Sequence, residues 1–230
     1  MTTHQLIRTI FLPALVVFLA STGPSARKIA SAGSPTTRVS PTNVETLLAE
    51  ARYRIDSGES RFAVKAFAGG FLSAFAHDHN IAIKDFSGEA DFTYGTVQPA
   101  SLRMTIKAAS LAVTDKVSAN DRQKIEGTMR DDVLEITKYP EIVFKSTGIT
   151  ATKSGNGQFQ ARISGELTLH GVTKPLGMTA QLEFGDKSLR ARGGFSVKQS
   201  SFDIKPVSVA GGTIKVKDEL KFSFDIVAHP

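Results

Sequence analysis

Residues 220–228 read Leu-Lys-Phe-Ser-Phe-Asp-Ile-Val-Ala. Leu220, Phe222, Phe224, Ile226 and Ala228 alternate with mainly polar residues, a period of two that buries one face of an extended strand and leaves the other largely in water. Leu102-Arg-Met-Thr-Ile-Lys-Ala108 and Phe159-Gln-Ala-Arg-Ile163 alternate in the same way. Further apolar runs at 60–68, 80–94, 142–152, 165–170, 175–184, 188–198 and 213–217 are broken by Gly, Asn, Asp or Pro, as at Lys153-Ser-Gly-Asn-Gly157. About eight short antiparallel strands at hairpin spacing predict an all-β chain, folded as a sandwich or an up-and-down barrel.

One segment departs from this period. Between Asp121 and Ile136, the residues Ile125, Met129, Val133 and Leu134 recur at helical spacing among charges. Ser118 or Asn120 can cap its start, and Pro140 closes the connection that follows. The expected helix lies across one end of the sheet structure, where it can cover an opening.

The N-terminus has its own organisation. Arg8 precedes the apolar run Ile10-Phe-Leu-Pro-Ala-Leu-Val-Val-Phe-Leu-Ala20, and small residues follow. That order is the order of a secretory signal, and the run is too short for the roughly 20 residues that span a bilayer. Residues 1–26 are therefore read as a signal peptide and 27–52 as a linker with a short helix, Val44-Glu-Thr-Leu-Leu-Ala-Glu-Ala-Arg52, capped by Asn43. Residues 53–230 are the folded domain. Export to the periplasm or beyond follows from this reading.

Composition removes whole classes of function. A chain of 230 residues with 41% hydrophobic and 22% charged residues has the balance of a globular domain. Cysteine is absent, which excludes disulfides, thiolate nucleophiles, cysteine-held metal clusters and a thioether-attached haem. No covalent cofactor and no catalytic set is expected, since G-x-x-x-x-G-K-[ST], G-x-S-x-G and H-E-x-x-H do not occur. The net charge of +6 shrinks to +3 from Tyr53 onward, where 23 Lys and Arg face 20 Asp and Glu. Basic residues do not cluster with stacking aromatics, so no nucleic-acid partner is expected.

The chemically unusual stretch is His77-Asp-His79, between the apolar, glycine-rich Phe67-Ala-Gly-Gly-Phe-Leu-Ser-Ala-Phe75 and the run Ile81-Ala-Ile-Lys-Asp-Phe86. On extended backbone, residues two apart share a face, so both imidazoles can reach one metal ion or one headgroup. His170 is the candidate third ligand. The alternative is that all three are rim or turn residues with local hydrogen bonds.

Several segments together carry a resemblance. Tyr53-Arg-Ile-Asp56, Asp85-Phe-Ser-Gly88, Tyr139-Pro-Glu-Ile-Val-Phe-Lys-Ser-Thr147, Gly165-Glu-Leu-Thr-Leu-His-Gly-Val-Thr-Lys-Pro175 and Lys217-Asp-Glu-Leu220 resemble the YceI-like family of exported bacterial lipid-binding proteins, over about 53–228. The resemblance implies a lipocalin-like antiparallel β-barrel holding a long isoprenoid chain, such as a polyprenyl phosphate or an isoprenoid quinone; for an exported carrier of such a lipid, transient membrane contact is a separate expectation. His77-Asp-His79 stands outside the family pattern. An eight-stranded barrel has an interior that side chains just fill or that holds one slender ligand. The expected lining residues are Phe62, Phe86, Met104, Ile106, Phe144, Leu167, Leu169, Phe195, Phe222 and Phe224, with His77 and His79 at the mouth. The rival functions are a small metalloprotein or metal-dependent enzyme centred on His77 and His79, and a filled-barrel stress or interaction module.

Overall fold

A computed structural model describes residues 50–70, 77–93, 97 and 100–230. Its strands are β1 (Glu50–Gly69), β2 (His79–Ile83), β3 (Phe86–Thr93), β4 (Ala100–Lys107), β5 (Leu111–Val113) and β6 (Glu141–Gly155), followed by β7 (Gln158–Leu169), β8 (Val172–Phe184), β9 (Leu189–Lys198), β10 (Ser208–Val209) and β11 (Ile214–His229). Eight of them pair antiparallel in the order β1-β3-β4-β6-β7-β8-β9-β11, and β11 returns to β1. This is a closed barrel, the alternative that leaves no long free edge.

The alternating runs supply its inner face. β7 reads exposed and buried in strict alternation from Gln158 to Glu166, with Phe159, Ala161, Ile163 and Leu167 inside. β11 closes on β1 with Phe224 opposite Phe62 and Phe222 opposite Val64. The runs expected at 159–163 and 165–170 are one strand, and so are those at 213–217 and 220–228, because pairing with both neighbours carries the backbone through the intervening polar residues. The run at 80–94 is instead divided at Lys84-Asp85 into β2 and β3.

β1 is the strand that forks. Its first part, Glu50 to Arg54, pairs with β3, and its later part, Ala63 to Ala66, pairs with β2. Between them is a bulge that Asp56 and Ser60 satisfy locally. Asp56 Oδ1 accepts the N–H groups of Gly58 and Glu59, while Ser60 Oγ accepts the N–H of Val227 at 2.9 Å. Glu50, Ala51 and Arg52 belong to β1, where the sequence suggests the end of a helix, because β3 offers them a ladder. The rest of that helix, the linker and the signal segment lie outside the described residues.

Above the fork, β2 and the short β5 extend the wall. The exposed edge of β5 is covered by α1 (Ala119–Thr128), the expected helix. The Glu126 carboxylate accepts the N–H of Val113, and the Arg122 guanidinium donates to the carbonyls of Val113 and Asp115. Side chains of the helix thus satisfy backbone groups that an edge strand leaves open. Ser118 caps α1 by accepting the Asp121 N–H at 3.1 Å, and its hydroxyl donates to the Asp121 carboxylate at 2.7 Å. A π-helical turn, Met129–Val133, continues it, burying Met129, and Leu134 follows as a second buried residue.

Candidate functional site

The barrel interior is hollow. Two apolar chambers, of about 130 and 350 Å3, share Phe62, Ile106, Ile142, Leu167 and Phe195 in their walls. These five residues form a waist in a single lumen. Phe62 is its hub: its ring centroid lies 5.8 Å from that of Phe86 and 6.3–6.4 Å from those of Phe195, Phe222 and Phe224. The rings of Phe195 and Phe222 stack at 4.7 Å.

Of the expected lining residues, Phe62, Ile106, Leu167 and Phe195 touch both chambers. Met104, Phe144 and Phe224 line the smaller one, Leu169 and Phe222 the larger. Phe86 is the exception. It is buried in the wall edge-on to Phe62 and lines neither chamber. The far end of the smaller chamber is stopped by an aromatic series in which Phe92 stacks on Tyr53 at 5.1 Å and meets Phe184 edge-on at 5.1 Å.

The larger chamber lies under α1, and polar groups concentrate there. His79, Lys124, Thr128 and Gln199 join an otherwise apolar lining. Gln199 is buried and donates from Nε2 to the Lys217 carbonyl at 2.9 Å. Lys124 has no ion-pair partner among the described residues. Neither is expected from the sequence: a glutamine at a strand end and a lysine on a polar, charge-rich helix carry no local signal of the space they border.

Asp115 orients the mouth. Its carboxylate lies 2.9 Å from His79 Nδ1 and accepts from the backbone and side-chain amides of Asn80 at 2.8–3.1 Å. Burial pushes its pKa up, but the Asn80 and His79 hydrogen bonds more than offset this and hold it below the usual carboxylate range. The ionised group therefore stabilises the fold above the unfolded carboxylate range near pH 4, and that contribution is lost as pH falls through the lowered folded value. Asp115→Asn is expected to cost about 1.5–3 kcal/mol at neutral pH. Urea unfolding at pH 7 and in acid checks it; the gap from wild type must close in acid.

The three histidines are not gathered. His77 is exposed, with its ring centroid 5.4 Å from that of His79. His170 sits in the β7–β8 turn at φ +52°, and its Nε2 is 2.6 Å from the Glu135 carboxylate. Its Nδ1 is buried without a hydrogen-bond partner. A ring already committed to Glu135 and enclosed on its other nitrogen clamps the loop at 134–139 onto the turn, which differs from the expected third ligand. Tyr139 packs on that ring at 4.5 Å, and a Cβ on Gly171 (φ +75°) would collide with the Tyr139 ring. The Tyr-Pro and His-Gly motifs are thus two sides of one contact. Among the described residues, the three metal-type side chains whose donor atoms lie within 4.8 Å of one another are Asp56, Glu59 and His229. They were not singled out in the sequence, because β1 and β11 bring them together across the whole chain length.

Comparison with known proteins accords with this architecture. The YceI-like domain model matches residues 53–228. A UPF0312 protein of Pseudomonas putida (strain W619) is 32% identical over 128 residues, 55% of this chain and 59% of that protein. A UPF0312 protein of Shewanella baltica is 35% identical over 96 residues, 42% of this chain and 45% of its own length. The aligned part spans less than two thirds of these relatives. Among solved structures, BcnA of Burkholderia cenocepacia superposes with a TM-score of 0.58 at 19% identity, covering 75% of this chain and 98% of BcnA. A polyisoprenoid binding domain from Saccharophagus degradans, described as implicated in plant cell wall breakdown, gives 0.55 at 12% identity, covering 77% and 97%. The solved structures show the closed-barrel fold, and because the YceI-like domain model covers residues 53–228, nearly all of the described residues, the chain belongs to the YceI-like family.

Proposed function

We propose that the protein is an exported carrier or store for an isoprenoid-type lipid and performs no chemistry of its own. The observation that carries this reading is the largely carbon-lined, two-chambered lumen, with most of its few polar residues at the α1 end. Each CH2 taken from water into such a space contributes about 0.8 kcal/mol. A slender branched hydrocarbon therefore binds tightly without any catalytic group. Together the chambers are about three times the roughly 150 Å3 cavity that accepts one benzene. That space suits a few isoprene units, with the waist dividing the chain. One solved structure of this fold is described as polyisoprenoid-binding, and that ligand class suits the lumen.

The polar end suits a headgroup. Lys124 offers an unpaired ammonium to a phosphate, and His79, oriented by Asp115, offers its other ring nitrogen to a phosphate or a quinone carbonyl. The signal-like segment at residues 1–26 supports export.

Mass spectrometry on protein from the native cell envelope tests both parts. Extraction is expected to release an isoprenoid lipid, and the intact mass is expected to start beyond residue 20. His79→Ala combined with Lys124→Ala should leave the barrel folded but reduce the yield of headgroup-bearing lipid. Well-folded protein without any apolar ligand would end the carrier reading, and an intact Met1 would end export.

A further inference from the structure

The outer wall beside the larger chamber carries charge that the fold does not explain. On β11, Val216, Leu220 and Phe222 line that chamber, so the alternating Lys215, Lys217 and Lys221 point outward, and all three are exposed. On β1, Val64 and Ala66 line it, so Lys65 and Phe67 share the outer face with them. Lys65 and Lys221 are direct cross-strand partners. Like charges placed opposite each other destabilise a sheet. Here the ammonium groups lie 5.3 and 5.5 Å from the centroid of the same ring, Phe67, an arrangement that only partly relieves the repulsion.

The acidic groups nearby do not balance the patch. Asp78 accepts the Ala68 N–H, pairs with Lys65 at 3.3 Å and also attracts Lys217 at longer range, one carboxylate against several ammonium groups. Glu219 faces Lys198 across the β11–β9 ladder. Lys215, Lys217 and Lys221 then have no ion-pair partner among the described residues. Four lysines thus share the outer face of two adjacent strands, two of them against one aromatic ring.

We infer that this face, Lys65, Phe67, Lys215, Lys217 and Lys221, docks on the surface of an anionic lipid bilayer. Lysines around an aromatic side chain have the composition of an interfacial anchor, in which the ring enters the headgroup layer while the ammonium groups meet lipid phosphates. The anionic surface also removes the penalty of the opposed Lys65–Lys221 pair. A bilayer is preferred over an acidic protein because the same two strands wall the larger apolar chamber, which an apolar cargo must reach. In that choice alone the inference rests on the carrier reading.

Flotation of the purified protein with vesicles tests it. The vesicles are phosphatidylcholine alone, or phosphatidylcholine with about 30 mol % phosphatidylglycerol. Binding is expected on the anionic vesicles only, and it should weaken as salt rises. At roughly 1 kcal/mol per lysine near the surface, Lys217→Gln with Lys221→Gln should bind about 30-fold more weakly. Phe67→Ser should also weaken binding, and both variants should keep the wild-type melting temperature within a few degrees. Equal binding to both vesicle types, or an unchanged double variant, overturns the inference. So does displacement from vesicles that responds to an acidic peptide but not to lipid charge. Lipid extracted from the same samples separates the two claims: vesicle binding by protein that carries no isoprenoid leaves the docking face standing and removes the carrier.

Discussion

Phe62→Ala is expected to lower folding stability by about 3–5 kcal/mol and to merge the two chambers into one. The ring is 5% exposed and sits against four other phenylalanines, so its removal forfeits burial, several edge-on ring contacts and the support of the β1–β11 closure. The surrounding barrel cannot collapse into the gap, because the strands on either side are held in their ladders. Urea unfolding measures the loss, and a value under about 1 kcal/mol would show that the waist does not hinge on this ring. The ligand effect should have the opposite sign. In the wild-type lumen Phe62 and Phe195 narrow the way from one chamber to the other, and removing the hub widens it. Faster uptake of a fluorescent isoprenoid by the less stable variant is the expected result.

Gly165→Ala and Gly193→Ala are expected to be nearly as damaging, at about 2–3 kcal/mol each. In β7, a Cβ on Gly165 would enter the space of the Lys145 carbonyl and the Phe144 ring. In β9, one on Gly193 would meet the Thr179 carbonyl, with the Phe224 ring 2.6 Å away. Phenylalanine rings lie across the bare glycine backbone, and the blocking carbonyls belong to neighbouring strands whose hydrogen bonds prevent retreat. Gly177→Ala is the control. A Cβ there meets nothing within 4 Å, so the change is expected to stabilise by about 0.5–1 kcal/mol through the unfolded state. Thermal melts of the three variants decide it, and equal effects would mean that close approach is not what requires glycine at 165 and 193.

The strands and their inward faces were legible in the sequence because alternation is local. Phe62, Met104, Ile106, Phe144, Leu167, Leu169, Phe195, Phe222 and Phe224 all line the lumen, since a strand that buries one face must put every second residue there. The Ser118 cap and the apolar spacing of Ile125, Met129 and Leu134 located α1 for the same reason. Elements too short to show a period, β5 and β10, were not legible. Nor was the start of β1, where pairing with β3 overrides the helical tendency of Ala51 and Arg52.

The chain by itself therefore determined which residues are strand, which face is apolar and, through motifs whose side chains are now seen in contact, which family it joins. Tertiary structure alone decided that the barrel is hollow and divided at Phe62, since a void depends on how side chains from five strands meet. It also assigned His170 to Glu135 instead of to His77 and His79, and it set Lys65 opposite Lys221. The last two contacts join residues 35 and 156 positions apart, where side-chain direction and strand register, which no local pattern encodes, determine what touches.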